Sequence, residues 1–117
     1  MKTTYNIGLN NNIYVERYKS EYKKERIERF FSSMSVLGVF TRVRFGTGHW
    51  DGDEPTAILV IVSDDEFDAE GICKNLCKLM TQTAIAMRTD GEEGKLIYHP
   101  DHKGEKYDFD EKYFIEF

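Results

Sequence analysis

No stretch of this chain stays apolar long enough to cross a bilayer. Its longest uninterrupted apolar run is AILVIV, from Ala57 to Val62, and a spanning helix needs roughly 20 such residues. The first residues, Met1, Lys2, Thr3, Thr4 and Tyr5, lack the apolar stretch of a secretory signal. A cytoplasmic protein with no membrane partner is expected. Cysteine is scarce too. Cys73 and Cys77 stand one helical turn apart, sharing a face but poorly placed for a disulfide. Two thiols without two further ligands make no structural zinc site, so buried, reduced thiols are expected.

Basic residues are scarce after the first third. Residues 1–45 hold nine Lys/Arg against four Asp/Glu, and residues 46–117 hold seven against seventeen. The acidic majority repels a nucleic-acid backbone, so a double-stranded nucleic-acid partner is disfavoured, and the balance is too mild for a mimic of DNA. What remains is a globular composition, 40% hydrophobic and 14% aromatic, in a chain of ordinary single-domain length.

Alternation from Thr3 to Asn10 places Tyr5, Ile7 and Leu9 on one face, and Asn10, Asn11 and Asn12 follow as a turn signal, predicting a first strand. From about Ser20 to Met34, the residues Ile27, Phe30, Phe31 and Met34 recur at i, i+3, i+4 and i+7, predicting an amphipathic helix. A second strand over Val36 to Phe45 opposes Val39, Thr41, Val43 and Phe45 to Phe40, Arg42 and Arg44. Gly46 to Pro55, rich in glycine and acids, reads as a connecting loop or the loose end of a hairpin. A third strand over Thr56 to Val62 is apolar from Ala57 onward. Asp64 to Asp68 reads as an acidic helix start, followed by an apolar face of Ala69, Ile72, Cys73, Leu76, Leu79 and Met80. Thr83 to Arg88 gives a fourth strand and Lys95 to His99 a short further one. The tail alternates through Tyr107, Phe109, Tyr113, Ile115 and Phe117.

This order is the split βαβ arrangement of the ferredoxin-like fold. The expectation is an α+β domain over 1–117, with a β-α-β-β-α-β core over 1–89 and an extension over 90–117. Both helices lie on one face of an antiparallel sheet, and the extension adds a C-terminal β segment. The opposite face is not polar, because the third strand is apolar on both sides and Phe40, Ala84 and Ala86 or their neighbours point there too. Either the C-terminal segment or a second subunit must cover it; a homo-oligomer is the expectation.

Several short motifs carry a resemblance over roughly residues 5–88. They are Tyr5-Asn6-Ile7-Gly8-Leu9-Asn10, Gly48-His49-Trp50 ahead of Glu54-Pro55-Thr56, and Gln82-Thr83-Ala84-Ile85. Together they resemble small ferredoxin-like proteins of phages and bacterial genomes. The resemblance implies the fold and a mobile-element setting in a bacterial host, and brings no activity or catalytic residues with it.

Functional side chains are densest around the second strand. Arg42 and Arg44 share a face, and His49, Trp50, Asp51, Asp53 and Glu54 follow at once. The arginines suit a phosphate or carboxylate, and Trp50 suits stacking or a protein contact. The plainer alternative is a tryptophan capping the core beside a solvated hairpin. An EF-hand loop starting at Asp51 fails at its twelfth position, Val62, and Gly46-Thr47-Gly48 lacks the rest of a dinucleotide fingerprint. His99 and His102 flank Asp101, a spacing that suits a metal only if His49 or a carboxylate joins them. No nucleophile elbow is present.

These features favour a non-enzymatic phage or mobile-element accessory protein that inhibits a host defence protein by direct binding, with no cofactor and no metal. Its partner is a host protein or a small anionic ligand, held through Arg42, Arg44, His49, Trp50, Asp51, Asp53 and Glu54. Two alternatives stand beside it: a homo-oligomeric binder sequestering a small anionic or nucleotide ligand, and a small metal-dependent hydrolase on His49, His99 and His102.

Overall fold

The computed structural model describes residues 1–9, 25–30, 32, 40–50 and 52–114, the side chains at 40, 50 and 114 excepted. Strand β1 runs Lys2–Gly8, β2 Phe40–Trp50, β3 Gly52–Val62, β4 Ala84–Thr89 and β5 Lys95–Tyr98. Residues 25–30 and 32 are helical and form α1; α2 runs Ala69–Met80. The strands make one sheet in the order β2-β3-β1-β4-β5, with every neighbouring pair antiparallel. The α+β ferredoxin-like expectation holds, and β5 is the extra C-terminal β segment. The Asn10–Asn12 turn signal, residues 36–39 of the second strand and Ile115–Phe117 lie outside the described residues.

Strand alternation sorts the side chains into two layers. On the helix side, Tyr5, Ile7, Ala57, Leu59, Ile61, Ile85 and Met87 pack with Ile27 of α1 and with Cys73, Leu76, Cys77 and Met80 of α2. Asp68 caps α2 by accepting a bond from the Gly71 N–H at 3.0 Å, so the helix begins after the acidic stretch rather than within it. Arg26 of α1 donates to the Leu79 carbonyl, tying the two helices together. Leu79 itself is exposed, whereas the sequence pattern puts it on the apolar face.

Of the two readings of Gly46–Pro55, the hairpin end holds and the loop does not: β2 and β3 stay paired out to Trp50 opposite Gly52, with Gly48 opposite Glu54 and His49 opposite Asp53. The alternating tail forms no strand among the described residues. Residues 99–114 instead make a strap that ends in a 3-10 turn at Glu111–Phe114, which lies against β2.

The strap covers the second face. Tyr113 accepts a hydrogen bond at its carbonyl from Asn6 Nδ2 at 2.5 Å. Phe109 sits under the Arg88 guanidinium, 5.4 Å from the ring centroid. Beneath this layer Ile58, Val60, Ala84 and Ala86 are buried. The bare face that motivated a homo-oligomer is therefore covered within the chain, and oligomerisation no longer follows from it.

Candidate functional site

The residues singled out around β2 do not form one cluster. By strand alternation Arg42, Arg44 and Glu54 fall on the strap face, while His49 and Asp53 fall on the helix face. Arg42 and Arg44 are exposed, and no ion pair holds them among the described residues. His49 Nδ1 lies 2.5 Å from Asp53 Oδ1, both side chains being exposed, so the pair closes the hairpin ribbon. Trp50 ends β2 opposite Gly52, and Asp51 lies outside the described residues. His99 belongs to the other edge of the sheet. It is buried just past β5, its N–H bonded to the Thr83 carbonyl at 2.8 Å and its Nδ1 accepting the Asp101 N–H at 3.0 Å. His102 stacks on Tyr98 with centroids 4.7 Å apart. With His49 at one edge and His99 and His102 at the other, no trio of histidines converges. No group of three or more metal-ligating side chains exists among the described residues.

A concave site lies instead at the end of the sheet where β3 and β4 terminate. These strands run the same way on either side of antiparallel β1, so the segments leaving them arrive side by side. Both segments are acidic. A cleft of about 770 Å³ opens between them, with Asp64, Glu66 and Phe67 after β3 on one wall and Thr89, Asp90 and Glu92 after β4 on the other. Met1, Lys2 and Val62 complete it. That volume lies within the range of roughly 300–1,000 Å³ that small-molecule sites occupy.

The start of β1 stitches the walls together. The Ser63 N–H donates to the Met1 carbonyl at 2.9 Å, and the Asp90 N–H donates to the Lys2 carbonyl at 2.9 Å. Glu92 N–H closes a turn onto the Thr89 carbonyl at 2.9 Å. Beneath the cleft, Tyr5 donates its phenol proton to the Ala69 carbonyl at 2.9 Å. Burial, then Cys73 and Asp68 nearby, push that phenol's pKa up, so it serves as a neutral donor at the root of α2.

Four carboxylates, those of Asp64, Glu66, Asp90 and Glu92, share this cleft with the Lys2 ammonium and with the Met1 amino group, which donates to the Ser63 carbonyl at 2.6 Å. Such a set suits a cationic ligand bearing hydroxyls, because carboxylates accept from vicinal diols and attract positive charge. Phe67, half-buried against the core, offers a ring edge or face to an aromatic group. These residues carry no local motif, because Asp64–Asp68 has the composition of a helix start and Asp90, Gly91, Glu92 and Glu93 that of a polar turn. The signal was the topology: a strand, helix, strand unit brings two strand ends together, and here acids follow both.

No protein-family model matches the chain, and no curated protein matches it. Among solved structures, the fold is similar to that of a phage SAM lyase in complex with S-methyl-5'-thioadenosine. The TM-score is 0.50 at 12% identity, covering 87% of this chain and 92% of that one. A phage SAM lyase in the apo state matches at TM-score 0.47 and 10% identity, covering 87% and 91%. The neighbour in complex is an enzyme with a small-molecule ligand, which overturns the expectation of a non-enzymatic inhibitor of a host defence protein. The metal-dependent hydrolase loses its site as well, because His49 is divided from His99 and His102 by the whole width of the sheet.

Proposed function

We propose that this chain is an enzyme acting on S-adenosylmethionine, a SAM lyase that releases S-methyl-5'-thioadenosine. The observation that carries the reading is the acidic cleft at the shared end of β3 and β4, in a fold similar to that of a phage SAM lyase. A cleft in which four carboxylates outnumber the amino groups of Met1 and Lys2 fits a sulfonium cation attached to a ribose diol. Asp64 and Glu66 accept from the ribose hydroxyls, Phe67 packs on the adenine, and Lys2 attracts the amino-acid carboxylate.

A lyase must break the bond between sulfur and the methionine γ-carbon without water. The bond's electron pair goes to sulfur, leaving a neutral thioether. The γ-carbon is then satisfied from within the substrate, either by its own carboxylate closing a lactone or by loss of a β-proton to a carboxylate of the cleft to form an alkene. In ring closure a sulfonium and a carboxylate neutralise each other, a step that quickens as water is excluded. The apolar lining from Val62 and Phe67 serves that end.

Incubating the purified protein with S-adenosylmethionine should release S-methyl-5'-thioadenosine far above the spontaneous rate. No oxygen from labelled water should appear on the γ-carbon of the four-carbon product. The paired variant Asp64→Asn with Glu66→Gln should lose at least about 100-fold in kcat/KM, about 2.7 kcal/mol of transition-state binding. Release no faster than the spontaneous rate would end this reading.

A further inference from the structure

The strap does more than cover the sheet. Arg88, the residue before Thr89 at the end of β4, donates from Nη2 to Glu111 Oε1 at 2.5 Å and stacks over Phe109. The Phe109 ring is seated against Gly94, where even a Cβ would overlap it. One aromatic ring thus grips the β4–β5 connection at both ends, at residue 88 before the turn and residue 94 after it. Between those grips lie Asp90 and Glu92, which form one wall of the cleft. Glu92 also borders a second groove of about 570 Å³ running beneath the strap past Glu93 and Asp108. Arg88 is the only cation lining that groove among the described residues, facing four carboxylates. Loosen its grip and those like charges drive the connection apart.

We propose that the strap is a positioning clamp for the cleft, in which Arg88, Phe109 and Gly94 hold the Thr89–Glu92 turn so that Asp90 and Glu92 keep their places in the wall. Its bearing on ligand affinity rests on the reading of the cleft as the substrate site. Its mechanical part stands on the contacts alone. Arg88 acts through the turn and is a positioning residue.

The test releases the clamp in the full-length protein with Gly94→Ala and, separately, with Phe109→Ala. The latter removes the ring from the strap without adding an atom, which keeps the question open to measurement should Gly94→Ala not fold. Amide exchange is followed at Asp90 and Glu92, with α2 as the internal control, and S-methyl-5'-thioadenosine binding is measured by calorimetry. The expected result is exchange at least tenfold faster at Asp90 and Glu92 with α2 unchanged, and S-methyl-5'-thioadenosine affinity reduced at least fivefold. Arg88→Lys, which keeps the charge but loses the planar stack, should fall between wild type and Arg88→Ala. A released strap with wild-type exchange at Asp90 and Glu92 would overturn the proposal, and so would faster exchange there with unchanged affinity. If the wild-type protein binds no S-methyl-5'-thioadenosine, the reading of the cleft fails while the exchange rates still decide the clamp.

Discussion

On the helix side of β3, Leu59 and Ile61 are fully buried among Cys73, Leu76, Met80 and Ile27. One residue along, Ile58 and Val60 point the other way, to the side of the strap, whose residues 103–108 are themselves exposed. The helix side is a continuous apolar core. On the strap side the Asn6 Oδ1 is buried with no hydrogen-bond partner among the described residues, a situation that costs about 1–3 kcal/mol. A sheet face can thus be apolar and covered and still carry an unpaired polar atom.

The sharpest way to break that comparison is to truncate neighbours on the same strand. Leu59→Ala should cost about 3–4 kcal/mol, since rigid helices cannot collapse into the cavity, while Ile58→Ala should cost about 2 kcal/mol because the strap can settle. Urea denaturation of the two variants checks this. Equal losses would mean that the strap packs as firmly as the helices.

Alkaline pH tests the helix side alone. A hydrogen bond with Cys77 first, and burial second, push the Cys73 pKa up. In the unfolded chain the thiol ionises near its usual value of about 8.5. Above that pH the folded state therefore holds more protons than the unfolded one. The stabilisation is complete below the unfolded value and lost as pH rises past it, by up to about 1.4 kcal/mol per unit. Denaturation midpoints from pH 8 to 11 should fall for the wild type and fall less steeply for Cys73→Ala. Identical slopes would remove the thiol as the cause.

The smallest effect is expected on the exposed arginines. Arg42→Glu together with Arg44→Glu should change stability by no more than about 1 kcal/mol, because both project from the surface without an ion pair among the described residues. The same variant should leave turnover of S-adenosylmethionine intact, as neither residue lines the cleft. A large loss of turnover would restore these arginines as ligand-binding residues.

Period-two and period-3.6 patterns made β1, β3, α2 and β4 legible, because each buries one face or both against a fixed neighbour. The hairpin end admitted two readings because glycine signals a turn and a close approach equally. Gly48 is the second kind, since a Cβ there would overlap the Thr56 side chain. The strap was misread for a different reason. Phe109 and Tyr113 alternate as in a strand, yet they meet edge to face, 6.1 Å apart, around an irregular turn. The cleft was invisible to local patterning because its two walls are separated by the whole of α2, and only strand direction brings them together.

The terminal position of β2 among the described strands of the sheet bears on how the protein behaves in concentrated solution. Its sequence from Phe40 to Phe45 is β-branched and aromatic at every position except Arg42 and Arg44, the kind of segment that recruits other strands along an open edge. Two like charges on alternate residues make such stacking repulsive, because copies aligned in register would set guanidinium against guanidinium. The arginines thereby act as a guard against fibril-like growth, and neutral, β-branched residues in their place would favour turbidity over clear solution.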